Sequence, residues 1–318
     1  MNLLIKLFFL FLLFAPLLFI LSKKYKIITS YAIHLILSLT SIGMVILYCQ
    51  QGKIEYYLAD LFLLGSIHLR VDELSAIFIV IINLVMLSGV FYSIRFFQTK
   101  DNTELLIRQL CTLATMHAVL LSACLIQEIL VFIMLGEIAG LCFFVQFFFT
   151  ENTLKTMLNY LVQLYLSLLL SIIALIWLNN RTGMENFESF SFYFANYTNA
   201  PLVALFLVAF VLKMIDAPKL IGVPSLLSIG ITTALSLYGM LRILLYTEKN
   251  WMVILFLLLL PVLLSVLRWV KIKTTEKIFQ SFTTRQYEEK QIPPLRTFLF
   301  LSVLLLLSVF GIVKTYLL

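Results

Sequence analysis

The sequence predicts an all-α membrane protein, a polytopic bundle of about ten transmembrane helices. Three observations carry that prediction. The 318 residues are 62% hydrophobic and 12% charged, with a mean hydropathy of +1.05, far outside soluble-domain usage. The apolar residues are gathered into runs of about 20, the length a helix needs to cross a bilayer. Leu, Ile and Phe dominate those runs, without the short alternating segments and Gly/Asn turns of a β-barrel.

Taken in order, the spans are expected at 3–21, 27–48, 72–97, 105–126, 128–149, 157–178, 202–217, 224–246, 251–270 and 297–316. The first has Lys6 before it and Lys23, Lys24 and Lys26 after it. It lacks a small-x-small cleavage site and reads as an uncleaved signal anchor. Segments 49–71 and 179–200 are aromatic-rich, as expected for chain lying at the headgroup level. Asp72 stands where the third span begins (VDELSAIF) and is expected to cap it.

The middle spans carry polar stripes. Gln109, Thr112 and Thr115 share a face of the fourth, with Ser122 further along. Asn159, Gln163, Ser167 and Ser171 recur along the sixth, and Ser225, Ser228, Thr232 and Ser236 along the eighth, one slowly rotating face each. Such stripes serve helix–helix packing or line a hydrated path. On the second reading Asn159, Gln163, Ser228 and Thr232 are the path candidates. The polar stretch 271–294 is expected to be a cytoplasmic loop carrying an amphipathic surface helix. The organisation is thus 1–104 with helices 1–3, 105–246 with helices 4–8, and 247–318 with helices 9–10 and the loop.

The net charge of +7 is a topology signal rather than a nucleic-acid footprint. If the amino terminus is outside, 15 of the 23 Lys and Arg fall on the inner side, from Lys23 to Arg296. Seven fall outside: Lys6, Lys53, Arg70, Arg181, Arg242, Lys249 and Lys314. This positive-inside asymmetry orients both termini outward. Cys49, Cys111, Cys124 and Cys142 lie in or at the edges of spans without metal-type spacing and read as buried apolar thiols. His34, His68 and His117 are scattered, and no Gly-rich phosphate loop occurs. The chain is therefore expected to hold no cofactor, no metal and no catalytic site of its own.

Two charges break the apolar pattern. Glu137 lies within the run 129–149, more than about 10 Å from either end at helical rise, too deep for a carboxylate to snorkel out. Lys213 lies within 201–218, with Asp216 three residues on as a local counter-charge. Pro218 and Pro224 break or end that helix, and interrupted helices line cavities in transporters. A charge at the bilayer centre costs a few kcal/mol at least, so it usually faces a partner or a water-filled path. Glu137 and Lys213 together suggest a buried relay, with Glu128 at the outer mouth of the same helix.

At these residues the chain resembles the antiporter-like proton-translocating subunits of complex I, hydrogenase-4/formate hydrogenlyase complexes and Mrp-type cation/proton antiporters. HLRVDELSAIF with FYSIRFF resembles the family's third-helix entry. EILVFIMLGEIAGLCFF resembles its fifth helix, with Gly136-Glu137 where the family has a glutamate usually after Trp. FVLKMIDAP resembles its seventh, with Lys213 five residues before Pro218, and LYGMLR ending at Arg242 resembles the end of its eighth. The likeness covers roughly residues 60–245. The chain departs from the family after Pro218, where a His-x-Trp-Leu-Pro-like stretch is missing. It departs again near Ser228, where the family often has His or Lys, and in lacking the second inverted repeat.

The resemblance implies one antiporter-like five-helix repeat with a broken seventh helix. It also implies a role as a proton (or cation/proton, with H+ or Na+) translocating subunit of a respiratory or hydrogenase-type complex. Burial favours the neutral forms of Glu137 and Lys213, and their attraction, up to about 4 kcal/mol for a close pair, favours the charged ones. The partners would be other membrane subunits and the lipid bilayer. A non-transporting scaffold subunit, or the membrane partner of an inorganic-carbon uptake system, are the alternative readings.

Overall fold

The computed structural model describes residues 23–61, 65–99, 103–148, 154–183, 186–196, 201–215 and 225–246. The expected spans at 3–21, 251–270 and 297–316 and the loop at 271–294 lie outside the described residues, as do Asp216, Pro218 and Pro224. The elements are helix α1 (Lys23–Gln51), strands β1 (Ile54–Leu61) and β2 (Gly65–Val71), and helices α2 (Glu73–Thr99), α3 (Thr103–Leu125), α4 (Ile129–Phe148) and α5 (Leu154–Thr182). A short helix α6 (Ser189–Asn196), α7 (Pro201–Ile215) and α8 (Ser225–Leu245) follow.

Successive long helices alternate in direction. One end of the bundle therefore gathers β1–β2, the α3–α4 junction, the α5–α6 connection and the end of α8. Lys53, Arg70, Arg181 and Arg242 fall at or near that end.

Four helices are long and apolar enough to cross a membrane: 28–51, 73–96, 106–125 and 159–182. Helices α4, α7 and α8 contribute shorter apolar stretches, so the described residues do not reach the expected ten spans. The outward faces have the chemistry of lipid contact. Leu35, Leu39, Ile42 and Ile46 form an exposed stripe on α1, and Val162, Leu166, Leu169 and Ile173 form one on α5. Contiguous apolar patches of that extent are a liability in water and suit a bilayer.

α3 is the central post, 83% of its apolar window being buried against α1, α2, α4 and α8. Its polar stripe is largely satisfied from within: Thr112, Thr115 and Ser122 donate to carbonyls one turn back, at Arg108 (2.7 Å), Cys111 (3.1 Å) and Ala118 (2.7 Å).

The segment 54–71 is regular, and the fold is not purely α. It forms an antiparallel hairpin pairing Ile54 with Val71, Tyr56 with Leu69 and Leu58 with Ile67. Alternation explains it. Ile54, Ile67, Leu69 and Val71 are buried, whereas Glu55, Tyr57, His68 and Arg70 point the other way, with Tyr57 stacked on His68 at 4.4 Å. Burial holds His68 below its ordinary pKa, so the stacked ring stays neutral near pH 7.

The turn at 126–128 extends the hairpin. Gln127 N donates to His68 O, and Phe187 N to Gln127 O, both at 3.0 Å. Gly52 (φ 80°) and Gly183 (φ 66°) end α1 and α5 in the left-handed conformation, each N–H donating to the carbonyl four residues back. Cys111 and Cys124 are buried as expected, but Cys49, at the end of α1, is exposed.

Candidate functional site

α4 and α7 bring Glu137 and Lys213 together. Lys213 Nζ donates to Glu137 Oε1 at 2.5 Å, with the carboxylate fully buried and the lysine side chain 10% exposed. Glu137 Oε2, also buried, has no hydrogen-bond partner among the described residues. Gly136 makes the approach possible: a Cβ there would stand 3.1 Å from Lys213 Nζ and 3.4 Å from Leu235 Cδ2. One turn before Lys213, the Ala209 carbonyl accepts from Ser167 Oγ of α5 at 2.8 Å, which fixes the height of α7 beside α5. Tyr160, also on α5, donates to Gly140 O at 3.2 Å and lies within electrostatic reach of Glu137.

The other expected site residues distribute differently. Glu128 stands at the hairpin end, where its Oε1 accepts from His68 N at 2.6 Å and its backbone bridges to Asn186. It is nine residues, about 13 Å of helical rise, from Glu137 and forms no part of the pair. Of the α5 stripe, Ser167 and Ser171 are buried, and Asn159 and Gln163 are half-buried. Ser228 and Thr232 lie in α8, with side chains outside the description.

Two clusters were not foreseen. At the hairpin end, Asp72 caps α2 as expected: its Oδ1 accepts from Ser75 N and Ser75 Oγ, both at 3.0 Å. Arg242 then reaches it from the end of α8, donating from Nη1 to Oδ1 (2.7 Å) and Oδ2 (2.6 Å) while only 2% exposed. Arg70 adds an ion pair to Glu188 at 2.7 Å and stands 3.4 Å from Asp72 Oδ2. Burial alone would raise the Asp72 pKa. Arg242 and the Ser75 donors outweigh it and hold the carboxyl below its ordinary value. Tyr48, Lys53, Arg70, Asp72, Arg242 and Tyr246 are among the residues lining a cavity of about 450 Å³ at this end.

The second cluster corrects the reading of the histidines as scattered. His34 of α1 and His117 of α3, both fully buried, meet at 2.9 Å between their Nδ1 atoms, with rings stacked at 5.2 Å. Asn83 of α2 joins them, its Oδ1 3.0 Å from His117 Nε2. Among the described residues no group of three or more His, Cys, Asp or Glu is placed to hold a metal ion. In comparison with known proteins, the chain matches no protein-family model and no curated protein.

Proposed function

We propose that this chain is a proton-translocating (or cation/proton) subunit of the antiporter-like kind. On this reading it works with other membrane subunits of a respiratory or hydrogenase-type complex in an inner membrane, and supplies one half-channel through Glu137 and Lys213. The observation that carries the reading is the buried 2.5 Å contact with one carboxylate oxygen left open. Transfer of the proton along this hydrogen bond from Nζ to Oε1 converts ammonium and carboxylate into amine and carboxylic acid. In a low-dielectric interior the cost of keeping two charges and the gain from their attraction nearly balance, so small changes move the proton. A proton arriving at Oε2 neutralises Glu137 and releases the lysine. Lys213 lies two residues before the end of α7 at Ile215, and its flexible stem carries the charge towards that end of the bundle.

The test uses energised membrane vesicles containing the assembled complex, with a pH-sensitive dye as readout. Glu137→Gln removes the acid at nearly constant shape, and Lys213→Ala removes the base. Each is expected to reduce proton-coupled activity to the level of vesicles lacking the chain while leaving its amount in the complex unchanged. Lys213→Arg is expected to rescue poorly, because a guanidinium hardly releases its proton. Sodium-dependent activity in the wild type would make the ion Na+. Normal proton movement in Glu137→Gln would sink the proposal and leave a scaffold role.

A further inference from the structure

The His34–His117 pair is independent of Glu137 and Lys213, and its hydrogen bonds fix the tautomer of each ring in turn. Asn83 Nδ2 donates to the Ile79 carbonyl at 2.9 Å and to Ser41 Oγ at 2.8 Å. A carbonyl only accepts, so the amide has one possible orientation, and Oδ1 is the atom facing His117 Nε2 at 3.0 Å. His117 Nε2 must then carry hydrogen, which in the neutral ring leaves its Nδ1 with a lone pair. The 2.9 Å contact between the two Nδ1 atoms is a hydrogen bond only if His34 Nδ1 carries the hydrogen and donates it. That leaves His34 Nε2 with a lone pair, buried and without a hydrogen-bond partner among the described residues.

Asn83 of α2, itself bonded to Ser41 of α1, faces His117, and the Leu110 carbonyl of α3 lies against His34; among the described residues no acidic or basic side chain is a partner of the pair. The depth of the site is set by the helices. His117 lies eight residues before the end of α3 at Leu125, and Glu137 eight residues after the start of α4 at Ile129. In adjacent antiparallel helices both are about 12 Å from the same end of the bundle.

We propose that His34 and His117 form a second proton-binding site, which takes up one proton at His34 Nε2 and shares it across the contact between the two Nδ1 atoms. In the step, the incoming proton bonds to the Nε2 lone pair and makes His34 an imidazolium. The proton on His34 Nδ1 then passes to His117 Nδ1, leaving His34 neutral with hydrogen on Nε2 and His117 cationic with hydrogen on both nitrogens. One proton has been gained, and the charge has crossed from α1 to α3. The bond from His117 Nε2 to Asn83 Oδ1 persists throughout and steadies the cationic state. Asn83 is thus a positioning residue, because it sets the tautomer of His117 and through it leaves Nε2 as the open nitrogen of His34.

The experiment is solid-state 15N NMR of the full chain, labelled at histidine, in phosphatidylcholine bilayers from about pH 8.5 to about pH 4.5. A His68→Gln variant assigns the third histidine, which lies in the hairpin. At the alkaline end His34 is expected to carry hydrogen on Nδ1 and His117 on Nε2, with a resolved coupling between the two Nδ1 nuclei. On acidification both rings are expected to shift together in one step. His117→Gln keeps an acceptor for His34 Nδ1 but cannot take the proton. It is expected to abolish the shared step and move His34 protonation down by about one pH unit. Reversed tautomers, separate midpoints without coupling, or two rings that stay neutral across the range would each overturn the proposal. These are read on the unmodified site, so misfolding of a variant does not rescue it.

Discussion

Two carboxylates of the bundle differ in how completely their oxygens are satisfied, although Arg242 Nε and Nη2 are buried without a partner among the described residues. At the hairpin end, Asp72 uses both oxygens on Arg242, with two further bonds from Ser75 and Arg70 at 3.4 Å. In mid-bundle, Glu137 uses one oxygen on Lys213 and leaves the other open. The cation differs in the same sense. Arg242 places one nitrogen, Nη1, on both oxygens of Asp72 and stays protonated, whereas Lys213 is a point charge on a flexible stem that meets one oxygen of Glu137. The first arrangement is a clamp joining the start of α2 to the end of α8. The second is suited to change state. Charge in an apolar chain is therefore not one signal: the number of bonds per carboxylate separates a fully bonded pair from one with an acceptor to spare.

The largest expected effect breaks the clamp. Arg242→Leu leaves the largely buried Asp72 carboxylate without its main counter-charge, and is expected to cost about 3–5 kcal/mol. It would be read as reduced thermal stability and reduced assembly of the purified chain in lipid. The double variant Asp72→Asn with Arg242→Leu is expected to lose less than the single one, since no charge is then orphaned. A stable Arg242→Leu protein without proton-coupled activity would reverse the division of roles.

Acid weakens the clamp in a defined window. The Asp72 pKa is lower folded than unfolded, so its contribution is fully present above about pH 4 and is lost as pH falls through the lower folded value. Stability scans of wild type and Asp72→Asn are expected to converge only below that window. Convergence near neutral pH would contradict it.

The two pairs were unequally legible in the sequence. A carboxylate in the middle of a 20-residue apolar helix is costly wherever its partner is, so Glu137 announces itself from one dimension. Asp72 was legible as a cap because capping is local, but its ion pair to Arg242 spans 170 residues and has no local signature. His34 and His117 were opaque for a related reason: neutral histidines cost little individually, and their meaning arises where three helices meet. The hairpin had a usable signal. The alternation of Ile67, Leu69 and Val71 against His68 and Arg70 has a strand's period, and the aromatic content of the preceding segment masked it as interfacial chain.

Two glycines of α4, one turn apart, sharpen the comparison between packing and transfer. A Cβ at Gly140 would stand 2.4 Å from Leu164 Cδ1, whereas one at Gly136 would meet Lys213 Nζ at 3.1 Å. Gly140→Ala therefore pushes α4 against α5 and is expected to cost about 1–3 kcal/mol of stability, with transport per folded molecule unchanged. Gly136→Ala displaces only the end of a flexible side chain by a few tenths of an ångström, so its stability is expected to stay within about 0.5 kcal/mol of wild type. The effect belongs to the pair, where a 2.5 Å contact must lengthen and the proton between Nζ and Oε1 must cross a wider gap. A several-fold lower transport rate at unchanged amount and unchanged Tm is expected, measured in the same vesicles as Glu137→Gln. Equal loss of stability in the two variants, with equal transport, would mean that Gly136 serves helix packing and that the closeness of the pair is incidental to its chemistry.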